Sequence, residues 1–283
     1  MTASELPVPP PEPLAAPVID SHCHLDITTE YSGLAPKAAL AAAAAVGVAG
    51  VVEVGVDLPS SQRAATLAAE LPQVVAAVAL HPNEAPGVCQ SGDLDQQLAA
   101  LAELAQQPQV VAVGETGMDF FRTGEAGRAD QETSFREHIA LARDTGRTLV
   151  IHDRDAHADV LRILESSDPP EQVVFHCFSG DAEMARICSE SGWFLSFSGV
   201  VSFRNAAELR QALSVASPQQ ILVETDAPFL TPTPQRGKPN ASYLMPHTVR
   251  AMAEQLDLAE VEMCELLMGN TRRAFNLPTG FAE

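Results

Sequence analysis

Eight short, valine-rich apolar runs, each followed by an amphipathic stretch, constrain this chain more than any other feature. The runs lie at 18–22, 50–55, 74–80, 110–114, 148–152, 173–176, 193–197 and 220–224. They read as continuous rather than alternating, the pattern of parallel strands covered on both faces. Ala/Leu-rich stretches at 36–46, 59–70, 93–106, 131–145, 155–166, 181–190 and 205–214 predict helices between them, and 246–256 and 259–275 predict two more after the eighth strand. Asp93 is placed to cap the helix at 93–106, and Pro59 suits the first turn of the helix at 59–70. Eight strand–helix units over about 265 residues give about 33 residues each, which matches a (β/α)8 barrel of about 250 residues. The expected fold class is therefore α/β, a single (β/α)8 TIM barrel with an extra C-terminal helix. The competing reading is an open doubly wound sheet, but no G-x-G-x-x-G follows the first strand.

Composition narrows the function. Hydrophobic residues make up 46% of 283, enough for a sizeable core and too many for wholesale disorder. The 37 acidic residues against 17 basic ones give a net charge of −20, which excludes a broadly basic surface that coats nucleic acid. A small cationic pocket or bound metal ions could still attract phosphate locally. Five cysteines with no C-x-x-C pair point to a reducing compartment. There is no basic segment leading into an apolar core at the N-terminus, and the most apolar run, 38–52, is too short for a membrane span. The expectation is a cytoplasmic protein with no membrane association and no obligate protein partner. Six prolines within residues 1–17 predict a disordered Pro-rich tail, which leaves 18–283 as one domain.

The polar residues gather where the apolar runs end. The first ends in Asp20-Ser21-His22-Cys23-His24-Leu25-Asp26, the third in His81-Pro82, and the fourth in Gly114-Glu115-Thr116-Gly117-Met118-Asp119. The fifth ends in His152-Asp153-Arg154-Asp155, the sixth in His176-Cys177-Phe178-Ser179-Gly180, and the eighth in Glu224-Thr225-Asp226-Ala227-Pro228. In a barrel all these ends meet at one mouth, where active sites sit. Residues i and i+2 of a strand share a face, so His22 and His24 can reach one ion. Four histidines (His22, His24, His152, His176) and two carboxylates (Glu115, Asp226) suffice for two sites, and this donor set suits zinc, manganese, iron or cobalt better than magnesium. Some barrel hydrolases bridge two cations with a carboxylated lysine, but Lys37 and Lys238 are the only lysines and neither ends a strand. Glu115 is the natural bridge, a capping or ion-paired glutamate being the plainer reading. Asp226 can bind one ion and accept a proton from water. Glu224, on the same strand face, reads equally as support for a ligand or as a satisfied ion pair.

These stretches resemble the TatD-type metal-dependent hydrolases of the amidohydrolase superfamily. The resemblance rests on DSHCHLD (20–26), LHP (80–82), GETGMDF (114–120), Gln131-Phe135-His138, IHDRDA (151–156), HCFSG (176–180), FLSFSGVVSF (194–203), LVETDAPFLTP (222–232), RGKPN (236–240) and NTRRAFNL (270–277), in order, over nearly everything after residue 17. It implies Mg- or Zn-dependent deoxyribonuclease activity, often 3′–5′ exonucleolytic, with metal ligands at His22, His24, Glu115, His152, His176 and Asp226. The expected cofactors are two divalent ions (Mg, Zn or Mn), one held by His22, His24, Glu115 and Asp226, the other by Glu115, His152 and His176. A hydroxide shared by the ions would attack phosphorus, with Asp226 and Glu115 as the catalytic pair. The chain departs from the family at Asn240-Ala241-Ser242, where asparagine-glutamate-proline is common, and at Thr116-Gly117-Met118, where isoleucine-glycine-leucine is usual.

The remaining residues have plainer readings beside the functional ones. His81 reads equally as a substrate contact or a loop hydrogen bond. Arg154, Arg236 and Lys238 are candidates to hold a phosphate, or are surface cations. His138 reads as structural, and His157 and His247 as surface residues. The expected partner is a DNA end or another phosphodiester. The alternative is hydrolysis of a carboxylic ester, amide or lactone, such as deacylation of a D-aminoacyl-tRNA. A non-catalytic binding module fits least, since all six ligands are present.

Overall fold

The computed structural model describes residues 6–278 and 280–282. In chain order its elements are β1 (Val18–Cys23), α1 (Leu25–Ser32), α2 (Pro36–Ala45), β2 (Val48–Val54), α3 (Leu58–Glu70), β3 (Val74–Val78), α4 (Ala85–Ser91), α5 (Leu94–Ala105), β4 (Val110–Asp119), α6 (Arg128–Thr145), β5 (Thr148–Arg154), α7 (His157–Glu165), β6 (Val173–Phe175), α8 (Ala182–Glu190), β7 (Phe194–Phe197), α9 (Ala207–Val215), β8 (Ile221–Val223), α10 (Met245–Leu256) and α11 (Glu260–Ala274). The sheet runs from β1 to β8 in sequence order, the strand order of a (β/α)8 barrel. Every strand except β4 begins and ends within two residues of the run that predicted it.

Two compact units make up the chain. The first holds the described residues through Glu53, Gly180–Arg273 and the described residues from Leu277 onward; the second holds Val54–Ser179 and Ala274–Asn276. In the first, β7 pairs with β8 through Leu195–Ile221 and Phe197–Val223, and β1 pairs with β2 from Val18–Val48 to Cys23–Glu53. Just beyond β8 the chain joins β1: Asp226 N–H donates to His22 O (2.9 Å), and His24 N–H donates to Ala227 O (2.9 Å). That ladder sets Asp226 beside the two histidines.

In the second unit β3, β4, β5 and β6 pair in order, with Ala77 opposite Ala112, Gly117 opposite His152 and Ile151 opposite Phe175. β4 runs five residues past its apolar run, through Gly114-Glu115-Thr116-Gly117-Met118-Asp119. Two glycines permit this. A Cβ on Gly114 (φ +156°) would lie 2.4 Å from Val150 Cβ, and one on Gly117 (φ +134°) 2.2 Å from His152 O. Only a residue without a side chain lets β4 lie so close to β5.

The Pro-rich tail requires a correction. Residues 1–5 lie outside the described residues, but 6–17 form an ordered strap on the first unit. Val8 is fully buried; its N–H donates to Tyr243 Oη (3.2 Å) and its carbonyl accepts from that hydroxyl (2.9 Å). Leu14 N–H donates to Val46 O (3.0 Å), and Ala15 N–H to Glu260 Oε1 (2.9 Å). Arg250 Nη2 donates to the carbonyls of Glu12 (2.8 Å) and Pro13 (3.1 Å). Proline removes donors but leaves carbonyls, so such a segment is fixed by partners on the body, which apolar periodicity does not register. Tyr243→Phe should cost about 1–3 kcal/mol by stranding both Val8 groups, read as a lower urea midpoint with unchanged slope. An unchanged midpoint would show that the strap contributes nothing.

Two smaller expectations also change. Asp93 occupies the N-cap of α5 without accepting a helix amide; its carboxylate accepts from Ser91 Oγ (2.8 Å) instead. His247 is half-buried in α10 rather than on the surface, and burial together with Arg250 lowers its pKa. Pro59 stands in the first turn of α3 as expected, behind a capping box between Asp57 and Ser60.

Candidate metal centre

The first unit carries one cluster. His22 and His24, both buried, project from the end of β1 with ring centroids 5.1 Å apart at 77°. Asp226 Oδ1 lies 3.5 Å from His24 Nε2 and 3.9 Å from His22 Nε2. Asp226 has φ +51°, a conformation aspartate tolerates, and its carbonyl accepts from Phe229 N–H (2.8 Å).

Two buried carboxylates support this cluster, and the sequence reading gave them no role. Asp20 accepts from Thr225 N–H (2.9 Å), Thr225 Oγ1 (2.5 Å) and His22 N–H (3.3 Å), tying β1 to the segment after β8. Burial pushes its carboxyl up to about 7 against those hydrogen bonds. Glu53, at the end of β2, accepts from Leu25 N–H (2.7 Å) and from Cys23 Sγ (3.9 Å); burial pushes it up to about 8. A glutamate inside the run Val51-Val52-Glu53-Val54 was the available signal. Glu224 is likewise fully buried.

The second unit gathers three histidines on one carboxylate oxygen. Glu115 Oε2 lies 2.7 Å from His176 Nε2, 3.1 Å from His152 Nδ1 and 3.8 Å from His81 Nε2. His152 Nδ1 and His176 Nε2 are 3.3 Å apart. Burial acts to raise the Glu115 carboxyl, but His176, His81 and the hydrogen bonds from His152 and His176 outweigh it and hold it well below the usual range. Burial pushes His81 down to about 3. His81 thus joins the cluster and also makes the loop hydrogen bond: its Nδ1 accepts from Asn83 N–H (3.0 Å).

Asp119 is the residue here that sequence reasoning passed over, although GETGMDF contains it. Its Oδ2 lies 3.3 Å from His152 Nε2 and accepts from Asn83 Nδ2 (3.2 Å), while Oδ1 accepts from Arg122 N–H (2.8 Å). Burial opposes ionisation, yet these bonds hold the Asp119 carboxyl below its ordinary value. His152 is held at both ring nitrogens, and although burial works against its charged form, Asp119 and Glu115 raise its pKa. A carboxylate on the outer nitrogen fixes ring orientation and leaves the other nitrogen directed inward, the usual support of a metal-binding histidine. Gln131 completes the shell, accepting from Asp119 N–H (3.1 Å) and donating to Pro82 O (3.0 Å).

His138 is structural, as its helical position suggested. Its Nδ1 donates to Ser134 O (2.7 Å), and its Nε2 accepts from Leu80 N–H (3.1 Å), one residue before His81. This pattern requires neutral imidazole, and burial lowers its pKa from 6.5 to about 4. Between those values the unfolded chain holds more protons, so this contribution is complete above pH 6.5 and lost as pH falls to about 4. The full window is worth about 3 kcal/mol. Urea titrations of wild type and His138→Gln at pH 7.5 and pH 4 should show their stability gap narrowing by about that amount in acid; a pH-independent gap contradicts it.

The three candidate phosphate-holding cations sit outside both clusters, on the surface. The Arg154 guanidinium lies 3.9 Å over the Phe121 ring, and that of Arg236 3.9 Å over Phe203. Lys238 Nζ donates to Gln235 Oε1 (2.9 Å). His157, partly exposed, pairs with Asp153 Oδ2 (2.8 Å).

Both clusters offer imidazole nitrogen and carboxylate oxygen from buried or mostly buried side chains, a donor set that fits a divalent ion of the zinc or manganese type. His81, Glu115 and His152 bring ligand atoms within 4.8 Å of one another. Fold and clusters define a metal-dependent hydrolase built on a (β/α)8 barrel. The family model described as TatD related DNase matches residues 19–276, and the chain belongs to the TatD family. It is 45% identical over 265 residues to the "Uncharacterized metal-dependent hydrolase TatD" of Mycobacterium tuberculosis, covering 92% of this chain and 98% of that protein. It is 36% identical over 263 residues to the "Uncharacterized metal-dependent hydrolase YcfH" of Escherichia coli K12, covering 92% and 96%. The crystal structure of YJJV, a TatD homologue from Escherichia coli K12, matches with a TM-score of 0.83 at 26% identity, over 92% of this chain and 98% of that one. Among the described residues no helix is long and apolar enough to cross a membrane.

Proposed function

We propose that this chain hydrolyses phosphodiesters, with the end of a DNA single strand as substrate and two divalent ions as cofactors. The ligands are His22, His24 and Asp226 from the first cluster and Glu115, His152 and His176 from the second. The observation that carries the hydrolytic reading is the meeting of His152 and His176 on one oxygen of an ionised, buried Glu115. The nuclease reading draws on the family's description as TatD related DNase. A net charge of −20 disfavours wide duplex contacts and favours admitting a strand end.

When bound, divalent ions supply Lewis acidity at the phosphoryl oxygens and make water easier to deprotonate. The chain's own residues do the rest. Asp226, the more exposed member of its cluster at 15% side-chain exposure, accepts the proton of the attacking water and passes it outward. Glu115 stays anionic and keeps His152 and His176 on one side of itself. Asp119 keeps His152 from rotating. Arg154, Arg236 and Lys238 bind phosphate oxygens of the substrate, the arginines with their planar forks. None of the five cysteines forms a disulfide among the described residues, which is consistent with a reducing, cytoplasmic setting.

The test is elemental analysis of metal-loaded protein joined to turnover on single-stranded DNA, a D-aminoacyl-tRNA and a simple lactone. About two ions per chain and DNA turnover well above the others are expected. Fewer than one ion per chain overturns the metal assignment, and turnover confined to the ester substrates replaces the phosphodiester reading with carbonyl hydrolysis.

A further inference from the structure

Two aromatic rings stand in solvent on the first unit. Tyr31 is 59% exposed and Phe229 42%, in a chain whose other large apolar side chains are mostly buried. The rings meet edge to face with centroids 5.9 Å apart. Their positions follow from the metal ligands. α1 starts directly after His24, and Tyr31 lies six residues along it from Leu25, about 9 Å at helical rise. Phe229 comes three residues after Asp226 and donates its N–H to that residue's carbonyl (2.8 Å). Thus the segments leaving both ligand-bearing strand ends meet again through these two rings. The segment after Asp226 also carries Arg236, 3.9 Å over Phe203, and Lys238, one of only two lysines in the sequence.

We infer that Tyr31 and Phe229 form a stacking platform for a nucleobase of single-stranded nucleic acid, with Arg236 and Lys238 attracting its backbone. The inference rests on the phosphodiesterase reading and adds where the base is held. Two rings are far smaller than the roughly 800 Å² per side of a stable protein interface, so a protein partner fits poorly. A base needs one flat apolar ring face and a nearby cation for its phosphate, and base stacking on aromatics is tolerant of sequence. An enzyme that takes strand ends of any sequence requires that tolerance.

The experiment measures binding by fluorescence anisotropy in EDTA, where hydrolysis is blocked. It uses a labelled single-stranded oligonucleotide and the same strand with abasic sites at its last three positions. Wild type should bind the intact strand about 10- to 100-fold more tightly than the abasic one, the worth of one or two stacked bases. In Tyr31→Ala/Phe229→Ala that ratio should fall to near one, while Tyr31→Phe/Phe229→Tyr should restore it. Circular dichroism checks that the alanine variant is folded. Metal-loaded wild type is assayed on the intact strand in parallel. Hydrolysis together with equal binding of both strands by wild type, or an unchanged ratio in the alanine variant, overturns the platform and leaves the phosphodiesterase reading standing. No hydrolysis of the strand under any divalent ion overturns both.

Discussion

Glu115→Gln should leave a folded protein that keeps less than one ion per chain after dialysis and loses at least about 100-fold in turnover. Outer partners of metal ligands alone are worth about 10- to 100-fold, and Glu115 is nearer the centre than any of them. Its Oε2 lies 2.7 Å from His176 Nε2 and 3.1 Å from His152 Nδ1. Glutamine keeps the shape but removes the charge that draws these imidazoles, and any cation, toward one point. If Oε2 is replaced by an amide nitrogen, two donors face each other where a donor and an acceptor stood. Asp119→Asn, one shell further out, should show a smaller loss of ion affinity, because it loosens His152 without removing a ligand. The measurement is ion content by elemental analysis with kcat/KM on a single-stranded oligonucleotide. A Glu115→Gln protein with wild-type ion content and turnover would reduce this cluster to an internal ion pair.

Much of this architecture is legible before any coordinates. Strands such as β5 and β7 are buried on both faces, so Thr148–Ile151 and Phe194–Phe197 stand out as apolar runs against amphipathic neighbours. The polar tips of those runs then name the candidate metal-binding residues, because parallel strands in sequence order end at the same edge of the sheet. What stayed hidden is short-range or indirect. The second half of β4 carries no apolar signal, and its strand geometry depends on how Gly114 and Gly117 fit against Val150 and His152. α1 and α4 are only 8 and 7 residues long, too short for periodicity to register. Asp20, Glu53 and Asp119 act on backbone amides or outer ring nitrogens, so nothing in their spacing distinguishes them from ordinary acids. The strap at 6–17 has no local sequence signature for a related reason: its contacts run through Tyr243, Arg250 and Glu260, more than 200 residues away in the chain.

Asp226 and His22 belong to the same cluster, and their variants should fail differently. Suppose Asp226 only compensates charge. Asp226→Asn would then bind ions weakly, and excess ion would return its turnover to normal. If Asp226 also accepts the proton from water, Asp226→Asn should stay slow at saturating ion, since loss of a general base typically costs about 10²- to 10⁴-fold. The asparagine keeps the backbone bonds that seat the residue, Asp226 N–H to His22 O (2.9 Å) and Phe229 N–H to Asp226 O (2.8 Å), so misplacement does not explain the defect. His22→Ala removes a nitrogen 3.9 Å from Asp226 Oδ1 and no proton acceptor, so excess ion should recover much of its activity. Titrating kcat against divalent ion on a single-stranded oligonucleotide separates the cases: His22→Ala should climb toward wild type, and Asp226→Asn should reach a plateau at least about 100-fold lower. A saturated Asp226→Asn enzyme that turns over at the wild-type rate removes Asp226 from the proton path and leaves it a ligand only.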